Sequence, residues 1–554
     1  MAEYFDLGNH GRPVTTASVA AQKWFDRGLT WAYAFNHEEA ERCFERAITR
    51  DPGCAMAHWG IAYAIGPNYN KAWDAFDPVD LSTSLERGHA AVQRAIGCLD
   101  GASAAETGLV RAMAARFPSA VPPVAADEWN EAYAAAMRRV YASHPDDLDV
   151  AALFADALMN VTPWQLWDLR SGTPAPGAHT AEAQDVLERA LGLAGGRSHP
   201  GVLHMYIHLM EMSPEPERAL RAGDWLRNLV PDGGHLRHMP THIDVLCGDY
   251  RTVVASNSAA IAADERFAAR EGAMNFYTLY RAHNYHFKIY GAMFLGQSEV
   301  ALQAGEELAA ALPGELLRVE VPPMADWLEG FVPMKLHALI RFGRWQEIID
   351  MPLPGDAGLY CVTTAMTHYA KGVALAATGR LDEAEDQRRL LAAAVARVPE
   401  SRTLFNNTCL DILAVASAML DGELEYRAGN VDAAFAQLRR AIELDDGLPY
   451  DEPWGWMQPV RHAYGALLLE QGRVEEAEAA YRADLGLDDT LPRANQHPGN
   501  VWSLHGYHEC LVRLGKTEQA RIIRQQLDLA AAQADVPISA SCACRLGVGP
   551  ERLR

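Results

Sequence analysis

Three short segments concentrate imidazole: His204-Met-Tyr-Ile-His208, His235-Leu-Arg-His238-Met-Pro-Thr-His242 and His283-Asn-Tyr-His286. Imidazole is the commonest metal-binding side chain and the one that titrates nearest neutral pH. Spacings of three and four residues put such side chains on one face of a helix. A lone histidine on an apolar helix face is more often a hydrogen-bonded core residue than a ligand, and it is the set of seven that points to a metal. These seven residues form the candidate ligand pool, and Glu211 is the best-placed acid, as a ligand or general base. A donor set rich in imidazole and poor in carboxylate disfavours magnesium and calcium and suits copper, zinc, iron or nickel. His-Glu-x-x-His is absent, because His204 is followed by Met-Tyr-Ile-His. The repeated Glu-x-x-His of di-iron bundles is absent as well. Copper is the first expectation, with zinc or iron next. Tyr206 and Tyr280 are candidate substrate contacts beside the ligands, with Tyr277 and Tyr285 close in sequence.

The elements that must hold these side chains come from a repeat. Trp24, Gly28, Trp31, Ala40, Phe44, Ala47 and Pro52 have the spacing of a 34-residue helix–turn–helix unit. The turn signature recurs at Gly248, Gly296, Gly343, Gly379, Gly429, Gly472 and Gly515. Alanine follows five residues on at Ala301, Ala384, Ala434, Ala477 and Ala520. On these residues the chain is identified as a member of the tetratricopeptide superfamily, over most of its length. The expected fold is all-α: an α-solenoid, a right-handed superhelix of stacked helix pairs, each burying its apolar face against its neighbours. Five segments are expected. Residues 1–99 are N-terminal repeats, 100–198 an irregular helical stretch broken at Thr162-Pro163-Trp164 and Thr173-Pro174, and 199–350 the histidine-rich repeats. Residues 351–530 are C-terminal repeats, and 531–554 a tail.

The resemblance implies that positions 2, 5, 9 and 12 of each first helix line a concave groove. Counted back from the turn glycine, those positions hold the seven histidines and Glu211. They also hold His337, His462, His505 and Glu509, which are further candidate substrate contacts. The His-Met-Pro-Thr-His element and the C-terminal Cys542-Ala-Cys544 resemble a poorly characterised group of bacterial and fungal tetratricopeptide proteins. That resemblance implies a shared site and supplies no reaction. Two thiolates one residue apart suit a soft ion such as Cu(I) or zinc, so Cys542 and Cys544 join the candidate ligands. A redox pair and ordinary thiols on a docked tail are the other readings. Phe35-Asn36-His37, Asn68-Tyr69-Asn70, Met159 to Trp164 and Asp451 to Trp456 are unusually detailed for plain repeats and are candidate pocket walls.

Composition narrows the function classes. Net charge is −23, from 49 basic and 72 acidic residues, which argues against nucleic acid and against an anionic membrane surface. No segment approaches the ~18 consecutive apolar residues of a membrane span, and the N-terminus lacks the features of a secretory signal. A cytoplasmic location is expected, and nine cysteines, mostly scattered, suit a reducing compartment. The leading expectation is a metal-dependent oxidoreductase using oxygen on a small molecule or short peptide held in the groove. The alternatives are a non-enzymatic peptide-binding scaffold, which would ordinarily clamp carboxylates with Lys, Arg and Asn, and a metal storage or delivery protein.

Overall fold

The computed structural model describes residues 4–121 and 127–546. The fold is all-α, an array of helix pairs. The strands among the described residues are two two-residue hairpins, Trp167–Asp168 with Thr173–Pro174 and Thr403–Leu404 with Asn407–Thr408. No helix of the described residues is long and apolar enough to cross a membrane. The chain divides into two compact units with boundaries that differ from the five sequence segments. The first is Met1–Ile243 with Ala259–Arg281, and the second is Asp244–Ser258 with Ala282–Arg554.

In the first unit the pair Val19–Tyr33 and His37–Arg50 shows why the repeat residues occur where they do. Ser18 caps the first helix through the Ala21 N–H, and Asn36 caps the second through the Glu39 N–H. A Cβ on Gly28 would lie 2.6 Å from the Phe44 ring, and one on Gly60 2.5 Å from it. Glycine at both places lets two neighbouring helices close on one phenyl ring. Residues 100–198, expected as an irregular helical stretch, hold four α-helices among the described residues: Ala104–Arg116, Asp127–Ser143, Leu148–Met159 and Thr180–Gly192. Irregular chain is confined mostly to residues 160–179, where both breaking prolines fall.

The second unit pairs Cys361–Ala377 with Leu381–Val395, Cys409–Arg427 with Val431–Asp446, Val460–Glu470 with Val474–Asp484, and Val501–Arg513 with Thr517–Ala531. Gly248, Gly296, Gly343, Gly379, Gly429, Gly472 and Gly515 all have φ between 63° and 84°. This left-handed conformation ends one helix and starts the next, and glycine adopts it without a Cβ penalty. The tail packs on this unit. Asp535 accepts the N–H groups of Ser298 and Glu299 at a helix start. Arg341 donates to the Ser541 carbonyl at 2.9 Å.

Candidate metal centre in the first unit

Helix Pro200–Met210 carries His204 and His208, both fully buried. Pro200 opens it, and His199 caps it by accepting the Val202 N–H at Nδ1. Gly201 sits against Tyr33, where a Cβ would lie 2.6 Å from the ring. That close approach lets His204 Nδ1–H donate to the Tyr33 carbonyl at 2.7 Å. With its proton on Nδ1, His204 presents the lone pair of Nε2, which has no hydrogen-bond partner among the described residues. Burial lowers the His204 pKa to about 3 and holds His208 well below the usual range, so both rings are neutral at physiological pH.

Glu211 orients two further rings. It is fully buried, with one oxygen 3.1 Å from His208 Nδ1 and the other 2.8 Å from His242 Nδ1. A carboxylate only accepts, so both rings hold their protons on Nδ1 and turn Nε2 away. His208 Nε2 is without a hydrogen-bond partner among the described residues. His242 Nε2 meets His238 Nε2 at 2.7 Å. Because His242 carries its proton on Nδ1, that shared position needs the His238 proton or a cation. Carboxylate-to-histidine hydrogen bonds of this kind fix tautomer and ring orientation at metal sites.

Candidate ligands gather around these rings. One nitrogen each from His204, His208 and His235 lie within 4.8 Å of one another, and so do atoms of His208, Glu211 and His242. Three ligands about 2.1 Å from one ion and evenly spread lie about 3.6 Å apart, so a trio spread over as much as 4.8 Å closes by about 1.2 Å at most. Short helices Gly234–His238 and Pro240–Leu246 bring in His235, His238 and His242. Gly234 is required there, because a Cβ would fall 1.8 Å from an Asp264 oxygen. The walls are aromatic. Phe35 stacks on His208 and His235, Tyr69 lies 4.7 Å from His208, and Tyr280 lies 4.7 Å from His235. Burial raises the Tyr280 pKa, so its hydroxyl stays protonated.

His283 and His286 belong to the second unit, where they pack edge-on against Phe405 and Phe331 respectively. Burial lowers His286 and His337 to about 3. Tyr206 lies about 200° around the helix from His204, at 3.6 residues per turn, and donates to Glu188 at 3.2 Å. His462 spends both nitrogens inside the second unit, accepting from Arg341 at 2.9 Å and donating to Asp484 at 3.0 Å. Glu509 is taken by Arg545 of the tail in a two-point ion pair at 2.7 and 3.0 Å. Both ring nitrogens of the buried His505 lack hydrogen-bond partners among the described residues. Cys542 and Cys544 are joined to each other as a disulfide. That bond occupies both sulfurs, so in this state they are not thiolate ligands.

Sequence spacing did not point to Asp149. It accepts from His199 at 3.0 Å and Tyr33 at 2.8 Å, and it pairs with Arg12 and His10. Burial works to raise its pKa, yet hydrogen bonds from His10 and His199 hold it well below the usual range. Asp149 thus ties the cap of helix Pro200–Met210 to the residue that orients His204. Its partners come from segments tens of residues away, and no local motif signals that role.

No family model matches this chain, and no curated protein matches it. Solved structures do match. Against the crystal structure of the APC/C hetero-tetramer Cut9–Hcn1, identity is 13% over 89% of this chain and 76% of that chain, with a TM-score of 0.31. Against yeast Tom70, identity is 11% over 91% of both chains, with a TM-score of 0.26. Against Naa15/Naa10 bound to HypK-THB, identity is 14% over 92% of this chain and 70% of that chain, with a TM-score of 0.20. At these scores the architecture rests on the helices themselves, and no function follows from the likeness.

Proposed function

We propose that the first unit binds a transition metal through His204, His208, His235, His238 and His242, and that the protein is a metal-dependent oxidoreductase acting on a small molecule or short peptide. The observation that carries the reading is the pair of buried, partnerless Nε2 atoms of His204 and His208, each with its Nδ1 proton committed elsewhere. Leaving such atoms buried without a partner is costly, and a metal ion is the partner that neutral imidazoles suit. Neutrality also spares the ion competition with protons.

Copper is the first choice. Two nitrogens 2.7 Å apart, each about 2.0–2.1 Å from one ion, subtend about 80–85° at it. That angle supports a tetragonal ion over a tetrahedral one. When bound, the metal would supply the redox chemistry. The chain's own residues do the rest: Glu211 and the Tyr33 carbonyl hold ligand tautomers, and Phe35, Tyr69 and Tyr280 wall the site with apolar ring surface, which strengthens electrostatics there. The competing readings are metal storage and a peptide-binding scaffold. Oxygen uptake by the copper-loaded protein with candidate phenols, amines and short peptides tests the choice. Substrate-dependent uptake abolished by a chelator supports the enzyme. Release of the metal to a weak chelator within seconds, without turnover, would favour delivery.

A further inference from the structure

Phe35 is one of two non-glycine residues, with Trp164, that hold a left-handed backbone among the described residues of this unit. Its φ is +54°, a left-handed value that costs a residue with a Cβ and is uncommon outside glycine, asparagine and aspartate. Strain of this kind persists where the surroundings hold it, and it concentrates at functional sites. Here the ring is what the conformation delivers. It lies 4.4 Å from His204, 5.7 Å from His208 and 5.3 Å from His235, near-parallel to the last two at 15° and 18°. One side chain therefore covers all three members of the trio. Phe35 is 3% exposed, and its chain neighbours His37 and Glu38 are partly exposed and exposed. The His37 ring packs 5.5 Å from Phe35, and both its nitrogens lack hydrogen-bond partners among the described residues.

We propose that Phe35 is the specificity-determining residue of the metal centre: it admits exogenous ligands of two or three atoms to the His204–His208–His235 ion and turns away ring-sized ones. This rests on the metal reading above. The geometry gives the size limit, since a phenyl ring in contact with all three imidazoles leaves no space for a fourth ring. Removing it opens a hole of about one six-membered ring against the lone pairs. Buried apolar holes of that size accept small aromatic molecules.

The test uses the full chain loaded with Cu(II), with metal content measured on the same samples. Azide and imidazole are titrated separately and followed by the charge-transfer and d–d absorption bands. The parent protein is expected to bind azide and to bind imidazole at least tenfold more weakly than Phe35→Gly. Glycine is the chosen replacement because it relieves the left-handed backbone. Phe35→Leu, which keeps an apolar cover of smaller width, should fall between the two and guards against a glycine variant that fails to fold. Equal imidazole affinity in all three proteins, at full metal loading, would overturn the assignment to Phe35. Absence of bound copper from the parent protein would instead overturn the metal reading beneath it.

Discussion

Replacing Glu211 by glutamine perturbs the centre without changing the size of the side chain. The carboxylate accepts from His208 at 3.1 Å and from His242 at 2.8 Å. An amide keeps one acceptor and turns its other end into an N–H donor. That donor faces an Nδ1–H, so one imidazole must rotate or move its proton to Nε2. Either change withdraws one ligand lone pair. Loss of an outer partner of this kind costs about 10–100-fold in metal affinity, which is about 1.4–2.7 kcal/mol. A hydrogen bond to a charged group is worth about 1.5–3 kcal/mol, and the two figures agree. Competition against a chelator of known affinity measures the change, with circular dichroism as the control for folding. Unchanged affinity in Glu211→Gln, with full helical content, would refute the orienting role given to this carboxylate.

Other consequences concern parts of the fold with distinct jobs. Burial lowers His286 and His337 from 6.5 to about 3. The folded state therefore binds fewer protons than the unfolded state between those values, and stability falls as pH drops below about 6.5. At pH 5 each of the two should subtract about 2 kcal/mol. Thermal melts at pH 7 and pH 5 should show the loss, and His337→Gln should flatten it. Gly201→Ala places a methyl 2.6 Å from the Tyr33 ring, so it should cost about 1–3 kcal/mol and weaken metal binding by moving His204. An unaltered melt would show that the helix shifts freely. Ending the chain before Ser541 strips a partner from Arg341, His462 and Tyr481. It should cost about 2–5 kcal/mol while leaving metal affinity in the first unit unchanged.

The fold was legible because its signals are local. Each turn glycine needs a positive φ for reasons internal to four or five residues, and the alanine five positions on marks the close packing of the partner helix. The clustering of His204, His208, His235, His238 and His242 was legible for the same reason, since repeat register sets which face each residue occupies. What register cannot show is how far a packing unit extends. His286 holds an equivalent position in the next repeat, yet it packs edge-on against Phe331 within the second unit. Nor can it show long-range partners. The orienting atoms of His204 and His199 belong to Tyr33 and Asp149, and Glu509 is satisfied by Arg545. Phe35 stood out in the sequence as part of an unusual segment, but its contact with three imidazoles depends on a backbone angle that phenylalanine does not announce.

The central claim is that neutral, oriented imidazoles of the first unit hold a metal ion. Elemental analysis of untagged protein, grown and reconstituted with copper, zinc and iron together, tests it most directly beside the variant His204→Ala with His208→Ala. The account predicts one or two equivalents of metal, copper foremost, in the parent protein and at least one equivalent fewer in the variant at equal helical content. No metal in the parent protein after reconstitution, or the same metal content in both proteins, would contradict it.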